Sequence, residues 1–198
     1  MELQHINVKF LVARPEGVDL EALIPIFHGW IQEQAWGELL LDVADYRHVY
    51  SGPGVILIGH EGNYSVDNTD GRLGVRYNRK AAIGGSNLDR LRQAALAALR
   101  LCKGLEADPS LEGKLRFNGR EIEIIFNDRL LAPNTPAARE AVRAELAPFL
   151  QQMLAGSDYS LSFNEEPRSL LQARVKASQT FSVEALSNHL ASVSSTVV

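Results

Sequence analysis

The chain has a single cysteine, Cys102, in 198 residues, so no intrachain disulfide can form. That poverty fits a reducing compartment, and the expected setting is the cytoplasm of a bacterial-type cell. No apolar run approaches the roughly 20 residues needed to span a bilayer. The start, MELQHINVKF, lacks the basic lead and apolar core of a secretory signal. A basic excess is missing too. Lys and Arg number 20 against 24 Asp and Glu, a formal net charge of -4, which argues against general affinity for nucleic acid or anionic membranes. The sequence also lacks a GxSxG elbow, a paired CxxC and a GxGxxG following a strand. Gly54 to Gly59 has the glycine spacing of a phosphate-binding loop, but His60 stands where the lysine would be.

What is present suits a globular fold, with 45% hydrophobic and 22% charged residues. Ile6, Val8, Phe10 and Val12 alternate with His5, Asn7, Lys9 and Leu11 as a strand buried on one face. Asp19 caps a helix with the stripe Leu20, Leu23, Ile24, Phe27, Ile31 and Gln34, and Pro25 imposes a kink or a late start. A second strand over Glu38 to Val49 has Leu39, Leu41 and Val43 as its apolar face, and Val55 to Gly59 reads as a central strand. Asp70-Gly71 signals a two-residue type I′ turn. That turn pairs Val66 with Val75 and Tyr64 with Tyr77 on one face, and Asp67 with Gly74 and Ser65 with Arg76 on the other.

Ser86 or Asn87 caps a helix whose stripe includes Leu91, Ala95, Leu99, Cys102 and Leu105, which makes the thiol a core group. Asn118-Gly119 signals another tight hairpin, setting Leu115 against Ile122. Thr135-Pro136 opens a helix carrying Val142, Leu146, Phe149, Leu150 and Met153, with Pro148 in its middle. Strands at Tyr159 to Phe163 and Leu171 to Val175 follow, then a short helix from Ser182. The predicted order is βαβββαββαββα. It implies an α+β fold: a mainly antiparallel sheet with two or three long helices packed on one face. A single domain over 1–180 is expected, with 181–198 a short C-terminal helix and loose tail.

Charge is unevenly distributed. From Pro15 to Tyr46 every charged residue is acidic, whereas from Arg72 to Lys103 eight cations face only Asp89. Such blocks favour attraction within the fold or between copies, hence an expected homo-oligomer.

Two clusters bear chemistry. Asp45, His48, His60, Glu61 and Asp67 combine imidazole and carboxylate groups able to divide acid and base roles, and His48, His60 and Glu61 could ligate a divalent metal. Arg76, Arg79, Lys80 and Ser86 precede or cap a helix N-terminus, where a small anionic ligand would be welcome. The leading expectation is a cytoplasmic binding or assembly protein with a polar pocket or interface on the central β-hairpin. The alternative is a small metal-dependent or acid/base enzyme using His48, His60 and Glu61. The sequence does not identify a cofactor, and it indicates no nucleic-acid or membrane partner.

Overall fold

Strand β1 (Ile6–Val12) lies fifth in an eight-stranded sheet of order β2-β3-β4-β5-β1-β6-β8-β7. The other strands are β2 (Leu40–Tyr46), β3 (Gly54–Gly59), β4 (Gly62–Asp67), β5 (Gly74–Arg79), β6 (Phe117–Phe126), β7 (Tyr159–Phe163) and β8 (Leu171–Ala177). Every pairing is antiparallel. The fold is known from a computed structural model that describes residues 1–34 and 36–191. Helices α1 (Leu23–Glu33), α2 (Asn87–Ala107), α3 (Pro136–Met153) and α4 (Val183–Ala191) complete it. Among the described residues no helix is long and apolar enough to cross a membrane.

Period-two alternation sends Val8, Phe10, Tyr64, Val66, Val75, Tyr77, Ile122, Ile124, Ala173 and Val175 to one face, where they share a core with all four helices. The opposite face carries no helix among the described residues. This is the expected α+β architecture, with the apolar stripes of α2 and α3 buried as predicted, Cys102 included. Helix α2 begins with a complete capping box between Ser86 and Asp89. Helix α3 runs unbroken through Pro148. Helix α1 takes the late start: Pro25 falls in its first turn, where its missing N–H has no intrahelical partner to lose.

The central hairpin has the expected register. Val66 pairs with Val75, Tyr64 with Tyr77, Ser65 with Arg76 and Asp67 with Gly74. Asp70 and Gly71 both have positive φ, and the Arg72 N–H donates to the Thr69 carbonyl at 3.2 Å, which closes a type I′ turn.

Four expectations change. The order is βαββββαβαββα, because a sharp turn at His60 and Glu61 separates β3 from β4 and because β6 is one strand. Asn118-Gly119 makes no hairpin: it bends β6, and the Asn118 Oδ1 accepts from the N–H groups of Arg120 and Glu121. On β2 the faces reverse only ahead of a bulge. Leu40 is 2% exposed while Leu39 and Leu41 are 55% and 51% exposed, because the bulge between Leu40 and Asp42 shifts the pairing by one residue, and beyond it Val43 packs against the core as expected. Finally, β1 is buried on both faces, Asn7 and Lys9 included, since three or more strands flank it on each side. At the C-terminal end, Val183, Leu186 and Leu190 of α4 enter the common core. The expected loose tail, 192–198, lies outside the described residues.

Gly119 has φ +56, and a Cβ there would collide with the Phe181 carbonyl oxygen. Gly71, at φ +66, has open space around it. Gly71→Ala is therefore expected to cost about 1 kcal/mol, the strain of a left-handed non-glycine residue. Gly119→Ala should cost clearly more. Urea unfolding of the two variants checks the ranking; equal losses would contradict it.

Candidate functional site

The two histidines follow different ends of one hairpin. His48 lies in the turn after β2, where Tyr46 meets Gly54, and its ring stacks near Tyr46 with centroids 6.3 Å apart. His60 follows β3 at the other end, where Leu40 meets Gly59, and its N–H donates to the Leu39 carbonyl at 2.8 Å. Along β3 the backbone between those ends spans roughly 16 Å, whereas two ligands of one metal lie about 4 Å apart. The structure does not bring His48 and His60 together. Among the described residues no group of three or more His, Cys, Asp or Glu side chains is placed to hold a metal. Glu61 pairs with Arg79 at 2.8 Å. Asp45 is held by Arg47, whose Nε and Nη2 donate at 2.9 and 2.8 Å. Those hydrogen bonds pull its carboxyl down to about 2, so it stays ionised near neutrality.

The four anion candidates also separate. Arg76 points to the helix-free face, and Arg79 to the other face by alternation. Arg79 donates to the Ala81 carbonyl and to Glu61, and Lys80 donates to the Gly59 carbonyl at 2.5 Å. Ser86 is engaged with Asp89, whose carboxylate accepts from both its N–H and its Oγ–H. The first turn of α2 thus faces a carboxylate of its own.

A different set converges on the helix-free face. Arg76 lies directly across from Lys9, and Lys9 directly across from Glu123, which in turn faces Arg174. Lys9 sends its ammonium over β5 to Asp67 on β4, at 2.6 Å, with both side chains 1% exposed. Two strand spacings, about 10 Å, are bridged in this way. Gly74 makes the passage possible: a Cβ there would lie 3.1 Å from the Lys9 Cε and 2.5 Å from the Phe10 carbonyl oxygen. Asp67 also accepts from the Thr69 N–H at 3.2 Å, from the Thr69 hydroxyl at 2.9 Å and from Arg76 at 3.4 Å. Burial alone would raise the Asp67 pKa, but the charge and hydrogen bond of Lys9 outweigh it and hold the carboxyl below its ordinary value.

Glu123, at 5% side-chain exposure, lies 2.8 Å from the Arg72 Nε and 3.4 Å from the Arg174 Nε. The Arg72 contact is an ion pair by distance, yet its N–H is not aimed along a hydrogen bond. Around this row Lys9, Arg72, Arg76, Arg174 and Lys176 meet Asp67, Asp70, Glu121 and Glu123, five cations to four carboxylates.

Several polar groups here remain unfilled. An ammonium has three donors, and among the described residues that of Lys9 meets one acceptor, Asp67. Asn7, two residues before it on the same face, has both amide atoms buried without a partner, and the Asn63 Oδ1 is in the same state. A pocket of about 320 Å³ opens beside Lys9, lined by it and by Arg76, Thr69, Asp70, Glu123, Asn164 and Gln172 among others. Lys9 escaped the sequence reading because alternation assigned it to a solvated face. Its available signal was its place between Asn7 and Leu11 on a strand that proves to be interior. No protein-family model, curated protein sequence or solved structure matches the chain.

Lys9→Met leaves the buried Asp67 carboxylate with only its Thr69 hydrogen bonds and the longer Arg76 contact, and is expected to destabilise the fold by about 3 kcal/mol. Lys9→Met combined with Asp67→Leu should recover most of that loss. Because the folded pKa of Asp67 lies below its unfolded value, the pair stabilises above the ordinary carboxylate range and fails as pH falls through the lowered value. Urea unfolding of wild type, single and double variants from neutral to acid pH measures both effects. A single variant as stable as the double would refute the buried pair.

Proposed function

We propose that this chain is a cytoplasmic binding protein whose helix-free sheet face takes a small oxyanion, a carboxylate or phosphate ester, against Lys9 and Arg76. The observation that supports it is the Lys9 ammonium, buried beside a pocket with one acceptor for its three donors. A buried charge with unmet donors is costly unless a partner fills them. The surplus of one cation in the network favours an anionic partner. A volume of about 320 Å³ falls at the small end of ligand sites, which run from roughly 300 to 1,000 Å³. Thr69, Asn164, Ser169 and Gln172 on its walls would read hydroxyl or amide groups of the same ligand, and Ile125 and Leu170 supply an apolar side.

Thermal unfolding in the presence of phosphate monoesters and small dicarboxylates, followed by calorimetric titration, tests this reading. A ligand that raises the melting temperature should bind about tenfold more weakly to Arg76→Gln, since that variant loses a charged hydrogen bond. Binding should also weaken with added salt. A panel with no effect at millimolar concentration would overturn the reading.

Self-association, the assembly side of the expectation, would use another surface. Edge strand β2 and the turn after it expose Leu39, Leu41, Tyr46, Val49 and Tyr50, and an unpaired apolar edge favours strand addition by a second copy. Light scattering should then report a dimer that Leu41→Lys dissociates. A monomer at high protein concentration and low salt would rule this out.

A further inference from the structure

On the helix side of the sheet, a second cavity of about 400 Å³ lies between α2 and the segment around Glu38. One wall is acidic, with Glu38 and Glu61; the other, on α2, carries Arg92, Gln93, Leu96, Ala97 and Arg100. Glu38 is fixed by three donors: the Tyr64 hydroxyl at 2.5 Å, the Glu61 N–H at 2.7 Å and the Gly62 N–H at 3.3 Å. Burial, reinforced by the Glu38 charge, pushes the Tyr64 phenol well above its ordinary pKa, so it stays a donor. Such a carboxylate is held rigid in its wall rather than free to swing across and close on a cation.

The opposite wall is left open. Arg100 lies against the backbone at Gly37, where a Cβ would sit 2.9 Å from its Nη1. Among the described residues no carboxylate comes within ion-pair distance of it, although Glu38 lines the facing wall. Arg92 and Gln93 are each half engaged. Arg92 donates to the Gln152 Oε1 at 2.9 Å and to the Asp89 Oδ1 at 3.3 Å, and Gln93 donates to the Tyr77 hydroxyl at 3.3 Å. Those bonds set both side chains, yet the Arg92 Nε and the Gln93 Oε1 stay buried without partners. Buried polar atoms in native folds are nearly always satisfied, so unpaired ones beside a cavity point to something that completes them.

A partner that fills the cleft would offer hydrogen-bond donors towards Glu38 and Gln93, and acceptors towards Arg92 and Arg100. Arg92 and Arg100 are two turns apart, about 12 Å along α2, with Leu96 and Ala97 between them. The carboxylates Glu38, Glu61 and Asp89 disfavour a simple anion, and the two arginines disfavour a cation or a metal. Since Arg79 neutralises Glu61 at 2.8 Å, fixed charges in the cleft balance. We infer that this cleft binds an amino-acid-type zwitterion, its ammonium on the Glu38 and Gln93 side and its carboxylate on an arginine of α2. The side chain would rest on Leu96, Ala97 and the Tyr64 ring. This second site stands apart from the oxyanion pocket, with the sheet between them.

The test uses the full chain and free amino acids, scored first by thermal shift and then by calorimetric titration, beside the N-acetyl and carboxamide derivatives of each hit. At least one free amino acid should bind, and each derivative should bind about tenfold or more weakly, because each removes one charged hydrogen-bonding end. Arg100→Gln, at an exposed position, should fold normally by circular dichroism and lose the preference for free carboxylate over carboxamide. Arg76→Gln on the opposite face should leave this binding unchanged, which separates the two sites. No binding by any free amino acid at millimolar concentration overturns the inference. So does a hit whose affinity is indifferent to N-acetylation, or to both Arg92→Gln and Arg100→Gln.

Discussion

Lys9 reaches Asp67 across an intervening strand, and it does so over Gly74, which presents no side chain beneath the path of the ammonium. That contact ties β4, β5 and β1 together on the face that carries no helix among the described residues. Removing Asp67 leaves the Lys9 ammonium buried without an acceptor, and removing Lys9 leaves the Asp67 carboxylate with Thr69 and the longer Arg76 contact alone. The rest of the polar face is arranged around this restraint. Arg76 and Lys9 are like charges placed directly opposite one another, a destabilising arrangement that the shared Asp67 carboxylate offsets.

Period-two alternation lets one hairpin serve both sides of the sheet. Tyr64 and Tyr77 turn towards the helices and continue an aromatic chain from Phe27 through Trp30 and Trp36, with successive ring centroids 4.9 to 5.4 Å apart. This chain links α1 to the hairpin and sets the wall on which Glu38 is held. Ser65, Asp67 and Arg76, one residue out of phase, turn to the other face, where Arg76 lines the oxyanion pocket and Asp67 holds Lys9 in its wall. A one-residue slip would exchange the two sets and put charge into the core, so register and site are specified together.

The parts of this architecture that could be read in the sequence are those decided locally. Asp70-Gly71 set the pairing of Val66 with Val75 because two successive positive-φ residues permit few other turns. The stripes of α2 and α3 were plain because helix periodicity is local. Asn118-Gly119 misled for the same reason: the dipeptide signals a tight reversal, but here tertiary pairing with β1 and the approach of Phe181 use it as a bend. The bulge that turned Leu39 and Leu41 outward left no local mark either. As for the candidate site, His48 and His60 do follow neighbouring strands, but antiparallel pairing sends the exit of β2 and the exit of β3 to opposite ends. Lys9 and Asp67 are 58 residues apart, and their meeting depends on the strand order, which no local pattern encodes.

Strand β1 sits between β5 and β6, so Val8 is flanked by Tyr77 on one side and Ile124 on the other. On a ribosome, which delivers the N-terminus first, β1 emerges long before either neighbour exists. During that interval INVKFLV is an extended, β-branched segment of the kind that adds to any free sheet edge. Its lysine interrupts the apolar run at the centre, and a charge within such a strand hinders that addition. The lysine that ties three strands together in the finished sheet thus also breaks the apolar run of the strand that comes first, and its charge finds a partner only with β4.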